Sequence, residues 1–280
     1  MPIEVYRRAS STEEAVRLRG EEGADSRYVA GGTDLLCEPE PPRSVIDVKR
    51  LSREIRREGD RIVIGAGVTV TDLLRSDEIA AADGGLLRSS ARDFASWQIR
   101  NMATVGGNLA SAVPSADLAP PFLVLNADVV ALGAKGTRTI AMGGLFEGPH
   151  RSALGPDLLV EVRFAAIPSG TRTAWAKMGR TEGDIAVVSA AAYVRIEEGV
   201  CAEVRLALGA AAPTPIRVAE AERFLEGKPP SGENLRRASE IARDRAKPID
   251  DQRASAAYRR RLSGVLTRRV LEAAAGGDGR

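Results

Sequence analysis

Two glycine-rich segments carry the residue types best suited to hold an anionic ligand. They are Ala30-Gly31-Gly32-Thr33-Asp34 and Thr104-Val105-Gly106-Gly107-Asn108. Paired glycines let successive backbone N–H groups point at one anion, and the hydroxyl or amide side chains beside them can bond phosphate or sugar oxygens. Each pair alone is also compatible with an ordinary turn. Together they predict two loops that meet and hold the diphosphate of a dinucleotide.

Other chemistries find little support in the residue pattern. The segment Gly65-Ala66-Gly67-Val68-Thr69-Val70 lacks the third glycine of a Rossmann fingerprint, and no regular βαβ alternation follows it. His150 is the single histidine and lies in a predicted surface loop, where a structural or solvated role is expected, so no catalytic triad can be assembled. Acidic residues are too scattered to form a metal cage or a glycosidase pair. Redox chemistry would therefore require a bound cofactor.

Composition limits the class of protein. The 280 residues are 44% apolar, enough for one large core or two modest ones, and 40 basic against 38 acidic residues give no electrostatic reason to expect nucleic acid or an anionic membrane as partner. Cys37 and Cys201 lie far apart, which argues against an iron–sulfur or zinc site and favours a reducing cytoplasm. No run of eighteen apolar residues and no apolar leader is present, so we expect neither export nor membrane insertion.

Periodicity and capping signals predict strands mixed with short helices, and mainly helices after Pro213. A first helix is expected from the capping box Ser11-Thr12-Glu13-Glu14 to a stop at Gly20 or Gly23. Further helices are predicted at about 71–74 and over 86–98, the latter leading into the second glycine turn. Strands are predicted at 27–30, 44–48 and 61–65, and apolar runs that are at least partly strand lie at 123–132, 158–164, 190–196 and 203–208.

The segment 254–275 is predicted to form a basic amphipathic helix. The face expected to pack comprises Tyr258, Leu262, Val265, Leu266 and Arg269. Such a helix can be a surface for a partner or a solvated helix packed on its own domain, and the second reading is the simpler one.

Three segments together carry a resemblance to a known family. Residues 30–36, 98–110 and 114–120 resemble the FAD-binding medium subunit of molybdenum hydroxylases of the carbon monoxide dehydrogenase and xanthine dehydrogenase type. The long motif around Asn108 is highly specific. Shorter similarities at 146–148, 177–180, 184–188 and 254–271 extend the resemblance over nearly the whole chain.

The resemblance implies an α+β fold. It would comprise an FAD-binding domain of the vanillyl-alcohol-oxidase (PCMH) type in two lobes, followed by a C-terminal domain of antiparallel sheet and helices. The FAD-binding domain would span 1–168, with lobes at about 1–55 and about 56–168, and the C-terminal domain 169–280. The joint is expected between Phe164 and Thr173, where periodicity breaks.

The resemblance also implies particular cofactor contacts. Residues Ala30 to Asp34 and Thr104 to Asn108 would bind the FAD diphosphate and neighbouring groups, and Asp117 would bond the sugar portion of FAD. Ala95, Leu159 and Lys177 are further implied contacts. Judged by the residues alone, Asp117 could equally cap a loop after Pro114, and Lys177 could be an ordinary surface lysine.

By the same resemblance, the chain would transfer electrons within a complex and hydroxylate nothing itself. A large molybdopterin-binding subunit would oxidise substrate, a small [2Fe-2S] subunit would pass electrons to FAD, and FAD would deliver them to an external acceptor, in a dimer of heterotrimers. A flavin-degenerate assembly subunit is an alternative, motivated by the short acidic stretch 37–42 and the basic last helix. A stand-alone flavin oxidase, or a reductase of the cell-wall precursor type, would need its own acid or base, and none stands out.

Overall fold

The N-terminal lobe is built on a small parallel sheet. The computed structural model of the protein describes residues 3–276. Its first three strands pair in the order β1-β3-β2, and one helix connects β1 to β2 along the chain. Ser11 caps that helix, because its Oγ accepts the N–H of Glu14 at 3.1 Å, and the helix stops before Gly23, as predicted. The elements are β1 (Val5–Arg8), α1 (Thr12–Glu22), β2 (Ser26–Val29) and β3 (Ser44–Asp47).

The second lobe is a five-stranded antiparallel sheet covered by short helices. The strand order is β4-β5-β10-β6-β7, and a two-stranded hairpin, β8 with β9, lies beside it. The strands are β4 (Ile55–Glu58), β5 (Arg61–Gly65), β6 (Asp128–Gly133), β7 (Gly136–Ala141), β8 (Phe146–Gly148), β9 (Arg151–Ser152) and β10 (Leu158–Ala165). The helices are α2 (Val70–Arg75), α3 (Asp77–Asp83), α4 (Leu86–Asp93), α5 (Trp97–Met102), α6 (Val105–Ala110) and α7 (Ala119–Val124).

The helix predicted over 86–98 is wrong in its second half. α4 ends at Asp93 and α5 begins at Trp97, because Ala95 between them adopts a positive φ of +37° that no α-helix allows. A Cβ built on Gly183 would lie 2.8 Å from the carbonyl oxygen of Ala95, so a loop distant in sequence packs directly on this break. Tertiary contacts therefore override a helical pattern that contains no proline.

The C-terminal part is a four-stranded antiparallel sheet between two layers of helices. Alternate residues of one central strand enter different cores: Ala191 and Tyr193 pack with the second lobe, whereas Ala190 and Ala192 pack with the last helices. The strand order is β11-β12-β13-β14. The elements are β11 (Thr171–Met178), β12 (Val188–Glu197), β13 (Val200–Gly209), β14 (Ile216–Arg217), α8 (Ala219–Leu225), α9 (Gly232–Arg245) and α10 (Ala256–Ala274).

The packed face of α10 differs from the predicted one. Leu262 and Leu266 are buried as expected, but Tyr258, Val265 and Arg269 are exposed. Arg259 takes a buried position instead, donating to the carbonyl of Val187 at 2.8 Å and to Asp251 Oδ1 at 2.7 Å. Acceptors supplied by other parts of the fold thus allow an arginine on the inner face. Within residues 3–276, no helix has the length and hydropathy needed to cross a membrane.

Candidate cofactor-binding site

Both predicted glycine segments line one cavity between the N-terminal lobe and the second lobe. Its volume is about 520 Å³, within the range of sites that bind small molecules and cofactors. The first segment follows β2, and the second begins α6. The two come together because Gly31 lies against the end of α5: a Cβ built on Gly31 would overlap the carbonyl oxygen of Met102. The expected convergence of the two segments in space is confirmed.

The first segment presents unused hydrogen-bond donors. Gly32 has a φ of +70°, a conformation that favours glycine, and the chain turns there before a short 3₁₀ helix, Leu35–Cys37. In the part of the chain that the structure describes, the N–H groups of residues 31–34 have no hydrogen-bond acceptor. Donors left free at a cavity edge suit phosphate oxygens. The carboxylate of Asp34, which only accepts, suits hydroxyl groups instead.

The second segment differs from the predicted glycine turn, since Val105–Ala110 is helical. Its N–H groups are already bonded within the protein: Gly106 N–H donates to Ala66 O at 2.8 Å, and Gly107 N–H donates to Thr104 Oγ1 at 3.0 Å. Those of Val105 and Asn108 donate to Val68 O and Thr104 O, each at 2.9 Å. The expectation of a second cradle of free N–H groups is therefore wrong. What this segment offers the cavity is close approach at Gly107 and the side chains of Thr104 and Asn108.

The charged residues that line the cavity are three arginines and four carboxylates: Arg19, Arg27 and Arg151 with Asp34, Glu38, Glu147 and Asp157. Arg27 is paired with Glu38 at 3.0 Å, whereas Arg19 and Arg151 have no carboxylate within ion-pair distance among residues 3–276. Arg19 donates to Ser26 Oγ at 2.8 Å, and Arg151 lies near the carbonyl of Glu147 at 3.4 Å. The guanidinium groups of Arg19 and Arg151 can bind phosphate oxygens, whereas Asp34 and Glu147, which also lack an ion pair among the described residues, can accept hydrogen bonds from hydroxyl groups.

Asp117 and Lys177 form a buried ion pair outside the cavity lining. Lys177 Nζ lies 2.7 Å from Asp117 Oδ2 and also donates to the carbonyl of Asp93 at 2.9 Å. The Lys177 side chain is 5% exposed, and the Asp117 side chain is 9% exposed. Burial raises the pKa of Asp117 to about 6, with Lys177 opposing the rise and Asp93 adding to it. Asp117 Oδ1 is buried without a hydrogen-bond partner in the described part of the chain.

The structure brings most, but not all, of the predicted site residues to the cavity. Residues 30–34 with Thr104, Gly107 and Asn108 line it directly. Gly106 and Leu159 line an adjoining cavity of about 100 Å³, which shares Ala30, Thr104 and Gly107 with the larger one. Val105, Ala95, Asp117 and Lys177 line neither of the two. Ala95 follows directly on Phe94, which does line the larger cavity.

Several cavity residues were not anticipated from the sequence. The predicted surface-loop residue His150 is exposed, with a φ of +56°, but it lines the cavity together with Arg151. Tyr28, Phe94 and Ser111 line it as well. The β8–β9 hairpin places His150 at the cavity, and nothing in the sequence of the hairpin indicates that it packs there. For Tyr28, its position just before the glycine segment was an available signal.

The residues present fit a dinucleotide diphosphate with sugar groups attached. The free N–H groups of residues 31–34 and the guanidinium groups of Arg19 and Arg151 provide donors for phosphates, and the Asp34 carboxylate provides an acceptor for hydroxyls. In the described residues no cluster of histidine, cysteine or carboxylate side chains could hold a metal ion. Fold and cavity define a protein that binds a nucleotide cofactor between two lobes.

Comparison with known proteins agrees with that class. Residues 1–164 match the family model described as FAD binding domain in molybdopterin dehydrogenase, and residues 173–274 match the CO dehydrogenase flavoprotein C-terminal domain. The chain is 33% identical to the carbon monoxide dehydrogenase medium chain of Hydrogenophaga pseudoflava over 276 residues, covering 96% of each. It is 32% identical to the xanthine dehydrogenase FAD-binding subunit of Escherichia coli O157:H7 over 286 residues, covering 97% of each.

Solved structures agree as well. A solved structure of carbon monoxide dehydrogenase from Hydrogenophaga pseudoflava, which lacks the Mo-pyranopterin moiety of the molybdenum cofactor, superposes with a TM-score of 0.95 at 34% identity, covering 98% of this chain and 97% of that one. The chain therefore belongs to the family of FAD-binding medium subunits of molybdenum hydroxylases of the carbon monoxide and xanthine dehydrogenase type. The predicted α+β fold, FAD as cofactor and the oxidoreductase class are confirmed.

Proposed function

We propose that this chain is the electron-transfer subunit of a heteromeric molybdenum hydroxylase. It accepts electrons from the [2Fe-2S] clusters of a small partner subunit, and a large molybdopterin-binding subunit oxidises the substrate. Bound FAD supplies the redox chemistry and passes the electrons to an external acceptor. The observation that carries the proposal is the single cavity lined by both glycine segments, at which residues 31–34 offer unused N–H donors.

In this proposal each part of the cavity has its own task. The N–H groups of residues 31–34 bind the diphosphate, and Arg151 offsets its charge. Thr104, Gly107 and Asn108 hold the opposite side, with Val105 and Gly106 packed beneath them. The free oxygen of Asp117 accepts a sugar hydroxyl, supported by Lys177, while Ala95 and Leu159 contact the cofactor rings.

We further propose a two-domain organisation and a particular assembly. Residues 1–168 form the FAD-binding domain, in lobes of about 1–55 and 56–168, and 169–280 form the C-terminal domain. The complex is a dimer of heterotrimers in the cytoplasm, where the free thiols of Cys37 and Cys201 would stay reduced.

The proposal is tested by electron transfer between separated subunits. The chain is loaded with FAD and mixed with its dithionite-reduced small partner, and flavin absorbance is followed in a stopped-flow instrument. We expect the flavin bands to bleach as the iron–sulfur bands recover. Protein that stays colourless with excess FAD, or flavin that stays oxidised, would overturn the assignment.

The alternative of a flavin-degenerate assembly subunit makes an opposite prediction. Gly107 lines the cavity, and among the described residues outside its own helix backbone a Cβ built there meets Thr104 Oγ1 alone, at 3.0 Å, so Gly107→Leu should narrow the cavity. If the subunit only supports assembly, the substrate-to-acceptor activity of the purified complex is unchanged. A loss of about tenfold or more, with the complex still assembled, favours electron transfer, because a subunit that only supports assembly would leave this activity unchanged.

A further inference from the structure

The C-terminal sheet is separated from the cofactor cavity but contacts the chain that forms its edge. All residues lining the two cavities lie between Arg19 and Leu159, before the C-terminal sheet begins at Thr171. The sheet approaches them through β11, which packs against α4. Whatever influence this sheet has on the cavity must pass through residues of that contact.

One face of β11 binds the C-terminal ends of two helices. Thr173, Trp175 and Lys177 alternate along the strand and point to the same side. Thr173 Oγ1 donates to the carbonyl of Asp83 at 2.8 Å. Trp175 Nε1 donates to Asp93 Oδ2 at 2.9 Å, and Lys177 Nζ donates to the carbonyl of the same residue at 2.9 Å. Asp93, the last residue of α4, is thus held at both its side chain and its main chain.

The residues after Asp93 form part of the cavity edge in an unfavourable backbone conformation. Phe94 lines the cavity, and Ala95 follows with a φ of +37°. A non-glycine residue keeps such a conformation only when its surroundings fix it. Here Asp93 is fixed on one side, and Gly183 packs against the Ala95 carbonyl on the other. The position of Phe94 therefore depends on contacts from the C-terminal sheet and the loop after it.

We propose that Trp175 is a positioning residue for the cofactor cavity. Its indole N–H holds the Asp93 carboxylate, and Asp93 in turn fixes Phe94 and Ala95 where FAD binds. This inference rests on the proposed binding of FAD in that cavity. Trp175 suits the task because it donates one neutral hydrogen bond to a charged acceptor while its ring packs against the main core.

The test is a double-mutant cycle on the full chain. Trp175→Phe keeps an aromatic ring and removes the donor, and Asp93→Ala removes the acceptor while leaving the main-chain carbonyl for Lys177. We expect each single variant to bind FAD about tenfold more weakly by fluorescence titration, and the double variant no more weakly than either one. Unchanged affinity in Trp175→Phe, or additive losses, would overturn the proposal. Trp97→Phe is the matched control, because Trp97 is 55% exposed and lies outside the cavity lining.

A spectroscopic measurement separates positioning from general destabilisation. The chain has two tryptophans, so 5-fluorotryptophan labelling of the Trp97→Phe variant leaves one ¹⁹F signal, from Trp175. That signal should shift when Asp93→Ala is added to the labelled Trp97→Phe protein. It should also shift when the labelled Trp97→Phe protein, which serves as the parent here, is saturated with FAD. A parent that binds FAD with no shift at Trp175 refutes the inference alone. A parent that binds no FAD refutes the proposed function, whereas the response to Asp93→Ala still reports the Trp175–Asp93 contact.

Discussion

Gly31 packs on the main-chain carbonyl of Met102, and this contact joins the N-terminal lobe to the helical side of the cavity. Residue 31 has no room for a side chain, because the first heavy atom added there would overlap the carbonyl oxygen. The contact sets the distance between the two segments that line the cavity, so it sets the width available to a cofactor.

Gly31→Ala should therefore weaken FAD binding by at least about tenfold, or about 1.4 kcal/mol. The first segment must move away from α5, which displaces the free N–H groups of residues 31–34. Flavin fluorescence titration measures the change. Gly20→Ala is the control: Gly20 lies in α1 with no atom within 4 Å of an added Cβ, and this variant should keep its affinity and gain up to about 1 kcal/mol of stability. Equal affinity in the two variants would contradict the role given to the contact.

Gly106 and Gly107 are adjacent but should respond differently to alanine. A Cβ on Gly106 would lie 2.6 Å from Cβ of Ala66, which forces α6 away from its neighbour and costs about 1–3 kcal/mol of folding free energy. A Cβ on Gly107 meets only Thr104 Oγ1, at 3.0 Å, so Gly107→Ala should change the unfolding free energy by less than about 0.5 kcal/mol. Urea unfolding of both variants checks the contrast, and equal destabilisation would argue against it.

Removing Lys177 should destabilise the protein in a pH-dependent way. Burial raises the folded-state pKa of Asp117 to about 6, above an unfolded value of about 4. For a raised carboxyl pKa, the stabilising contribution is fully present below the unfolded pKa and is lost as pH rises through the folded one. Lys177→Met moves the folded pKa still higher, so its cost should be small at pH 5 and about 3 kcal/mol at pH 8.

The measurement is guanidinium unfolding of parent and variant at both pH values. In the Asp117→Asn background, which has no carboxylate at this position, adding Lys177→Met should cost the same at both pH values. An equal loss at pH 5 and pH 8 would show that the charge of Asp117 is not its cause.

Arg259 should matter far more to stability than the other arginines of α10. It is buried and donates to Val187 O and to Asp251. Burial raises the pKa of Asp251, but hydrogen bonds from Arg253, Arg259 and Ala254 together outweigh this effect and lower the pKa to about 2. Arg259→Met removes the buried donor to Val187 O and the guanidinium partner of Asp251, which keeps only its bonds from Arg253 and Ala254, and should cost about 3 kcal/mol. Arg261→Met, at an exposed position of the same helix, should change stability by less than about 0.5 kcal/mol. Thermal unfolding distinguishes them, and similar effects would contradict the assignment.

Local signals predicted the elements whose ends depend on nearby residues. The Ser11 cap and the Gly23 stop set the limits of α1, and β5 follows its apolar run over 61–65. The break at Ala95 could not be predicted this way, because it is held by Trp175 and Gly183, which lie far along the chain. The burial of Arg259 likewise depends on the carbonyl of Val187, which no helical periodicity reveals.

The candidate site was predictable in its position but less so in its chemistry. Glycine pairs followed by polar residues indicated where the cavity is, and both pairs line it. The pair at Gly106 and Gly107 indicated free N–H donors. Instead, Thr104 caps the helix that contains them and accepts from Gly107 N–H, and the carbonyl of Ala66 accepts from Gly106 N–H. Small size at Gly106 serves packing against Ala66, a demand that sequence alone does not distinguish from anion binding.

Because the α6 amides are already engaged, cofactor loading would be recorded unevenly across the cavity. Deuterium uptake by Val105–Asn108 should hardly change when FAD enters, whereas uptake by residues 31–34 should slow. Peptide-level exchange mass spectrometry could therefore measure the fraction of chains that hold FAD from one short stretch after β2. The smaller, N-terminal lobe would thus report how much FAD is bound, although most of the cavity lining that packs tightly belongs to the larger lobe.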